Sequence, residues 1–266
     1  MKTIPLFLLT ISLAVISLAG SRPTAAITLN NLNQQEVQGI LKDLNLSMNS
    51  SITPSSSKLF WGLELGVAGS VVDSPNIQKY DPNIDRLGNG GAYAQISLPY
   101  GIGLNGYKLS SHYHENDLDY NYNSLGISWS FGSLVNLMTG LDMQIQYKKS
   151  KGDIRVTNRP TTGGLTYGNY NYKADTISLY AIKSFGFVEP FIGVSYMVTD
   201  DGFNADANLF NNVVAQSYAT NGIDQKSTTA SYGVNFYVFH FLRLGLEYST
   251  GHFDRDRLSA SLALSI

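Results

Sequence analysis

From residue 59 onward, apolar and polar side chains alternate in segments of strand length. The clearest runs from Leu137 to Lys148. Leu137, Leu141, Met143, Ile145 and Tyr147 share one parity, whereas Asp142, Gln144, Gln146 and Lys148 share the other. Successive side chains of a β-strand point to opposite faces, so the segment has one apolar and one polar face. Its length suits a tilted bilayer crossing of ~9–11 residues.

The same pattern predicts ten strands, at 59–71, 91–99, 102–114, 119–131, 137–148, 172–184, 188–199, 226–239, 242–251 and 258–266. The first shows Leu59, Trp61, Leu63, Leu65 and Val67 on one face and Glu64 on the other. The last sets Leu258, Ala260, Leu262, Leu264 and Ile266 against Ser259, Ser261 and Ser265. In the third, the apolar parity shifts between Leu104 and Leu109, which predicts a bulge near Asn105 and Gly106. The sixth is about equally apolar on both parities and gives no facing.

The connections alternate in length. Those at 72–90, 150–171 and 200–225 are long and polar, whereas those at 99–101, 132–136, 184–187 and 239–241 are short. Transmembrane barrels show this asymmetry, with long loops outside and tight turns in the periplasm. Because the first connection is long, both ends of the barrel fall on the periplasmic side, and an even strand count closes the sheet. The expected fold is all-β: a transmembrane antiparallel up-and-down β-barrel of about ten strands over residues 58–266, located in the cell outer membrane.

Lipid offers backbone groups no hydrogen bonds, so a spanning sheet must close on itself. The polar faces carry Glu64, Gln95, Asp142, Gln144, Gln146, Glu189, Asn235, Arg243 and Glu247. In a dry soluble core, unpaired ions would cost several kcal/mol each. In a lumen they can find water or one another. A secreted β-sandwich would alternate too, but strand length, loop asymmetry and an apolar run to the last residue favour the membrane.

The N-terminal region differs. Lys2, the apolar stretch Ile4 to Ala19 and the small, polar stretch Gly20 to Ala26 have the layout of a secretory signal peptide, with cleavage expected after Ala26 and Ala19 as a second candidate. In residues 27–57, Val37, Ile40, Leu41, Leu44 and Met48 fall at helical spacing, with Asn33 and Glu36 placed as a capping pair. Residues 50–58 read as a linker. The expectation is a short amphipathic helix on the periplasmic side, resting on the membrane or barrel rim, with a plug or lid at the periplasmic mouth as the alternative.

Charged residues make up only 14%, against about a quarter in ordinary soluble domains. Tyrosine, at 17, outnumbers phenylalanine at 12, which suits a protein with two membrane–water interfaces. Without residues 1–26, 16 basic residues face 20 acidic ones, and no basic block occurs, so nucleic acid is not an expected partner. There are no cysteines, hence no disulfide framework, thiolate metal site or lipoprotein anchor.

Several segments resemble those of uncharacterised Gram-negative outer-membrane β-barrel families: residues 38–67, 94–104, 187–202 (FVEPFIGVSYMVTDDG) and 242–249 (LRLGLEYS). The resemblance covers much of the mature chain and implies the barrel, but no catalytic motif. It also implies that outer-membrane lipid is the surroundings, and that periplasmic chaperones and the barrel assembly machinery are partners during biogenesis. Such barrels usually end in an aromatic residue, whereas this chain ends in Ile266.

Candidate chemistry is sparse. His112 and His114, near Ser110, Ser111 and Glu115, lie where a rim hydrolase would carry its base, but no Ser-His-Asp spacing is recognisable. Asp81, Asn83 and Asp85 begin like a calcium loop, yet Arg86 replaces the required glycine and Ala92 the final glutamate. His252, Asp254, Arg255, Asp256 and Arg257 read as a charged surface tip. No catalytic, cofactor or metal residues are assigned.

Glu64, Arg243 and Glu247 form the candidate lumen polar network, because their strands are separated only by the tenth in a closed barrel. Small barrels are filled by side chains, and only much larger ones leave an aqueous channel. The expected function is therefore non-enzymatic, structural or narrow-channel, with long external loops. A rim hydrolase acting on lipid or peptide, or a loop-based adhesin, is the alternative.

Overall fold

The structure is a computed structural model that describes residues 34–49, 52–55, 61–79, 85–113, 118–131, 141–158, 166–208, 215–238, 241–252 and 255–265. Its elements are helix α1 (Gln34–Met48), β1 (Gly62–Asp73), the short helix α2 (Pro75–Gln78), β2 (Arg86–Ser97), β3 (Ile102–Tyr113), β4 (Leu118–Ser130), β5 (Leu141–Asn158), β6 (Thr166–Lys183), β7 (Val188–Asn208), β8 (Ala215–Val238), β9 (Leu242–His252) and β10 (Arg255–Ser265). Each strand pairs antiparallel with its sequence neighbours, and β1 pairs with β10 from Glu64↔Ser265 to Val72↔Arg257, which closes the barrel. Closure leaves no open edge, as lipid requires.

Outside, the alternation does what the sequence suggests. Leu65, Leu104, Leu125, Ile127, Trp129, Ile145, Ile177, Val194 and Leu246 are exposed and form an apolar belt. Trp61, Tyr100, Phe185, Phe187 and Phe241 are exposed around the end that carries the short turns. Aromatic rings belong at a membrane–water boundary. A closed barrel with this belt is an outer-membrane structure, and in such barrels the short turns mark the periplasmic end.

One periplasmic turn shows why glycine is needed. Gly101, between β2 and β3, has φ +77°, and a Cβ there would lie 2.2 Å from the Ser130 carbonyl oxygen.

The strands depart from expectation in three places. Much of 150–171 and 200–225 is paired strand: β5 and β6 pair as far as Asn158↔Thr166, and β7 and β8 as far as Asn208↔Ala215. Past the apolar belt the outward face turns polar while Ile154 and Tyr170 face the helix-filled lumen, so the apolar-outward contrast that marks a strand disappears while backbone pairing continues. Second, β3 has no bulge at Asn105 and Gly106, and its register with β2 and β4 is continuous. Leu109 faces inward on the same side as Asn105 and Tyr107, because the outer half of the lumen is itself apolar. Register shifts occur instead at Asp201/Phe203 and Arg255/Arg257. Third, Arg257 is buried rather than part of a surface tip. Residues 137–140 of the expected fifth strand lie outside the described residues, as do residues 1–33.

Helix α1 lies inside the barrel. Ile40, Leu41, Asp43, Asn45, Leu46, Ser47 and Met48 are all buried, which places protein on every side of the second half of the helix rather than on one face. This corrects the expected periplasmic position on the rim, and also the mouth plug, because α1 occupies the outer half of the lumen. Leu41 and Met48 pack in a cluster with Tyr107, Tyr122, Tyr170 and Tyr172.

Candidate functional site: the occupied lumen

The chain enters the described region near the outer mouth and descends through the barrel. At the top, Asp43 accepts hydrogen bonds from the backbone amides of Asn76 (2.7 Å) and Ile77 (3.1 Å) in the first external connection. The Asn76 side-chain amide donates to Gly39 O at 3.0 Å, and Arg255 Nε lies 3.7 Å from the Asp43 carboxylate. Burial pushes the Asp43 carboxyl above its ordinary value, and these hydrogen bonds partly offset that.

Lower down, Asn45 donates to Asp201 (2.6 Å) and Gln225 (3.3 Å), and Tyr170 donates its hydroxyl to Asn45 Oδ1. The last carbonyls of a helix lack internal partners. Here Ser47 O accepts from the Asn89 side chain and, at 3.4 Å, from the Tyr120 hydroxyl.

At mid-height the barrel holds the polypeptide by Asn49. Lys148 Nζ donates to Asn49 Oδ1 (3.0 Å), and Arg257 Nη1 donates to Asn49 O (2.7 Å). Arg257 Nη2 is also 3.1 Å from Glu247 Oε1, with both side chains buried. Beside this cluster remains an internal cavity of about 30 Å³, lined by residues that include Asn49, Lys148, Glu247 and Arg257. That is roughly the volume of one water.

Near the periplasmic end the contacts centre on Arg243, which is fully buried. Its Nε donates to Glu64 Oε2 (3.1 Å) and its Nη2 to Glu64 Oε1, a bidentate pair. Nη2 also meets the Tyr93 hydroxyl (2.9 Å), which itself donates to Glu64 Oε1 (2.9 Å). Nη1 donates to Thr53 O (3.0 Å), Thr53 Oγ1 (2.6 Å) and Asn235 Oδ1 (3.0 Å). Asn235 returns its amide to Pro54 O at 2.6 Å. A guanidinium offers five donors in a rigid fork, and here every direction is used. Both Glu64 oxygens are engaged and Arg cannot act as a base, so the arrangement holds a backbone in place rather than transferring protons.

Of the three sequence candidates, Glu64 and Arg243 are brought together, whereas Glu247 belongs to the separate cluster with Arg257. Sequence reasoning missed Lys148, Asp201, Asn235 and Arg257 as partners, and Asn45, Asn49 and Thr53 as the residues they hold. The available signal was Asn45 and Asn49, which follow Leu41 at four-residue spacing and interrupt the apolar stripe of the helix. Asp85 is exposed, and Asp81, Asn83, His114, Glu115 and Asp254 lie outside the described residues, as do the side chains of Ser111, His112 and His252. Among the described residues no group of three or more His, Cys, Asp or Glu side chains could hold a metal ion.

No protein-family model matches the chain, and no characterised protein matches it in sequence. Among solved structures it is similar to the outer membrane protease OmpT from Escherichia coli (9% identity, covering 80% of this chain and 97% of that chain, TM-score 0.43). It is also similar to the translocator domain of the autotransporter NalP from Neisseria meningitidis (7% identity, covering 87% and 94%, TM-score 0.42). A third is Ail, the attachment invasion locus protein of Yersinia pestis (11% identity, covering 77% and 97%, TM-score 0.35).

Proposed function

We propose that this barrel is a self-plugged, non-conducting outer-membrane scaffold that presents a β-structured rim to the cell exterior. The observation that carries the reading is the placement of residues 38–49 and 52–55 in the lumen, fastened near the periplasmic end by Arg243 at Thr53, at mid-height by Lys148 and Arg257 at Asn49, and near the top by Asp201 at Asn45. A solute path would have to break buried, charge-assisted hydrogen bonds at each height. The paired extensions of β5–β6 and β7–β8 favour a surface-contact role over transport, because they carry rigid polar backbone well past the apolar belt. Planar-bilayer conductance tests the reading. Purified full-length protein should give no channel steps above background, whereas a variant lacking residues 34–55 should give stable steps. Steps from the full-length protein would replace the scaffold with a channel.

A further inference from the structure

The rows just outside the apolar belt are strongly cationic on one side of the barrel. Lys149 and Lys151 of β5 and Lys173 of β6 are all exposed on the outward face. Lys151 lies directly opposite Lys173 in the β5–β6 ladder, and Lys149 sits two residues nearer the belt, opposite Asp175. Directly opposed residues of antiparallel strands have Cα atoms ~4.5–5.5 Å apart, and like charges there are destabilising. Lys108 of β3 continues the Lys151 row through Asn123 of β4.

Neighbouring acids compensate only in part, and Lys151 has no acid directly opposite it in the β5–β6 ladder. Lys173 Nζ lies 3.9 Å from Asp200, but both side chains are mostly exposed, and such pairs are weak. Asp175, opposite Lys149, accepts from the Tyr147 hydroxyl and keeps its charge, so the three lysines face two carboxylates. The chain as a whole is net negative, so this concentration of lysines is local.

The lysines border an outward groove of about 880 Å³ whose other walls include Leu125, Ile127 and Val198. Ten residues separate Leu141, at the periplasmic end of β5, from Lys151. At ~3.4 Å per residue and a tilt of ~40°, that is about 25 Å, the height of the apolar band of such barrels. The groove is therefore apolar at the level of acyl chains and cationic at the level of headgroups, and lysine stems can lie on apolar surface while their ammonium groups reach water.

We infer that Lys149, Lys151 and Lys173 bind the phosphate of a phosphorylated lipid headgroup in the outer leaflet, with an acyl chain lying along Leu125 and Ile127. An anion between Lys151 and Lys173 removes their repulsion, and the groove below accepts the chain attached to it. Anionic headgroups attract basic clusters at this depth.

The test uses the purified full-length protein in neutral detergent. Native mass spectrometry should show adducts of bis-phosphorylated lipid A that survive moderate activation, and few with the same lipid stripped of both phosphates. Replacing Lys149, Lys151 and Lys173 with Gln should weaken lipid A retention at least tenfold, and an equal concentration of inorganic phosphate should not displace the lipid. Lys151→Glu supplies an independent readout, because it pairs with Lys173. That variant should melt higher than the parent in plain detergent and should lose the upward melting shift on adding lipid A. Undiminished retention by the triple-Gln variant, equal binding of the dephosphorylated lipid, displacement by inorganic phosphate, or an undiminished lipid A melting shift in Lys151→Glu would each overturn the site.

Discussion

Glu64 of β1 and Arg243 of β9 form a bidentate ion pair although β10 runs between their strands. The bond therefore spans the inner face of β10 and takes the descending segment at Thr53 with it. Replacing Arg243 with Met leaves a buried carboxylate facing Tyr93 alone. Breaking such a pair on one side costs about 3–5 kcal/mol, whereas replacing both partners is far milder. Unfolding in urea, followed by the loss of heat-modifiable migration in gels, should show Arg243→Met strongly destabilised and the Glu64→Gln, Arg243→Met double variant largely restored. Additive losses would mean that the two residues act independently.

The polarity of the threaded segment is directly measurable. Lys42 is exposed near the outer mouth, while Ser55 is buried close to Gln95 at the periplasmic end. With Lys42→Cys and Ser55→Cys in a chain that has no native cysteine, a membrane-impermeant maleimide added to intact cells should label the first and spare the second. Labelling of Ser55→Cys alone would reverse the path.

Gly245 gives a way to displace the segment without removing any of the side chains that hold it. A Cβ there would lie 2.2 Å from Thr53 Oγ1 and 2.5 Å from Ser261 Oγ. Gly245→Leu should therefore push Thr53 off Arg243 and raise single-channel conductance from background, with β-sheet circular dichroism unchanged. A silent Gly245→Leu barrel would show that the lumen stays shut without the Thr53 contact.

Asp43 should make docking of α1 pH-dependent. Its carboxyl is pushed above the ordinary 3.8 chiefly by burial, so the docked state binds the proton more tightly than the free one. The linked stabilisation is complete below the ordinary value and is lost as pH rises through the raised one. Resistance of α1 to externally added protease should therefore increase on acidification across that window, and Asp43→Asn should flatten the response. A slope of the opposite sign would mean that the hydrogen bonds from Asn76 and Ile77 outweigh desolvation.

What could be read from the chain depended on what each face touches. Lipid imposes one rule on every outward position, so Leu244, Leu246 and Tyr248 could be assigned outward by parity alone. The lumen imposes two rules. Its periplasmic half is polar, as Glu64 and Arg243 require, but its outer half wraps a helix, so Leu109, Tyr170 and Tyr172 sit inward where polar residues were expected. That mixture made the third strand seem to slip and the sixth seem faceless. Arg257 was misread because the expected strand began one residue later, at Leu258; it shares the parity of Ser259 and Ser261 and turns inward with them, and the register shift toward Arg255 lies beyond it. Glu64 and Arg243 were legible as a pair because strand order alone brings them near. Thr53 was not, since nothing in a polar linker shows that a barrel surrounds it.

The closed seam between β1 and β10 has a consequence for how the molecule is made. Residues 38–55 precede every wall strand in the chain, and the wall becomes continuous only when its final strand meets its first. The polar fastenings at Asn45, Asn49 and Thr53 are spread along the axis, so sliding an extended segment in afterwards would drag each through a sleeve already filled by tyrosines. The economical route is the reverse: the sheet wraps around its filler as around a mandrel, and the seam shuts last.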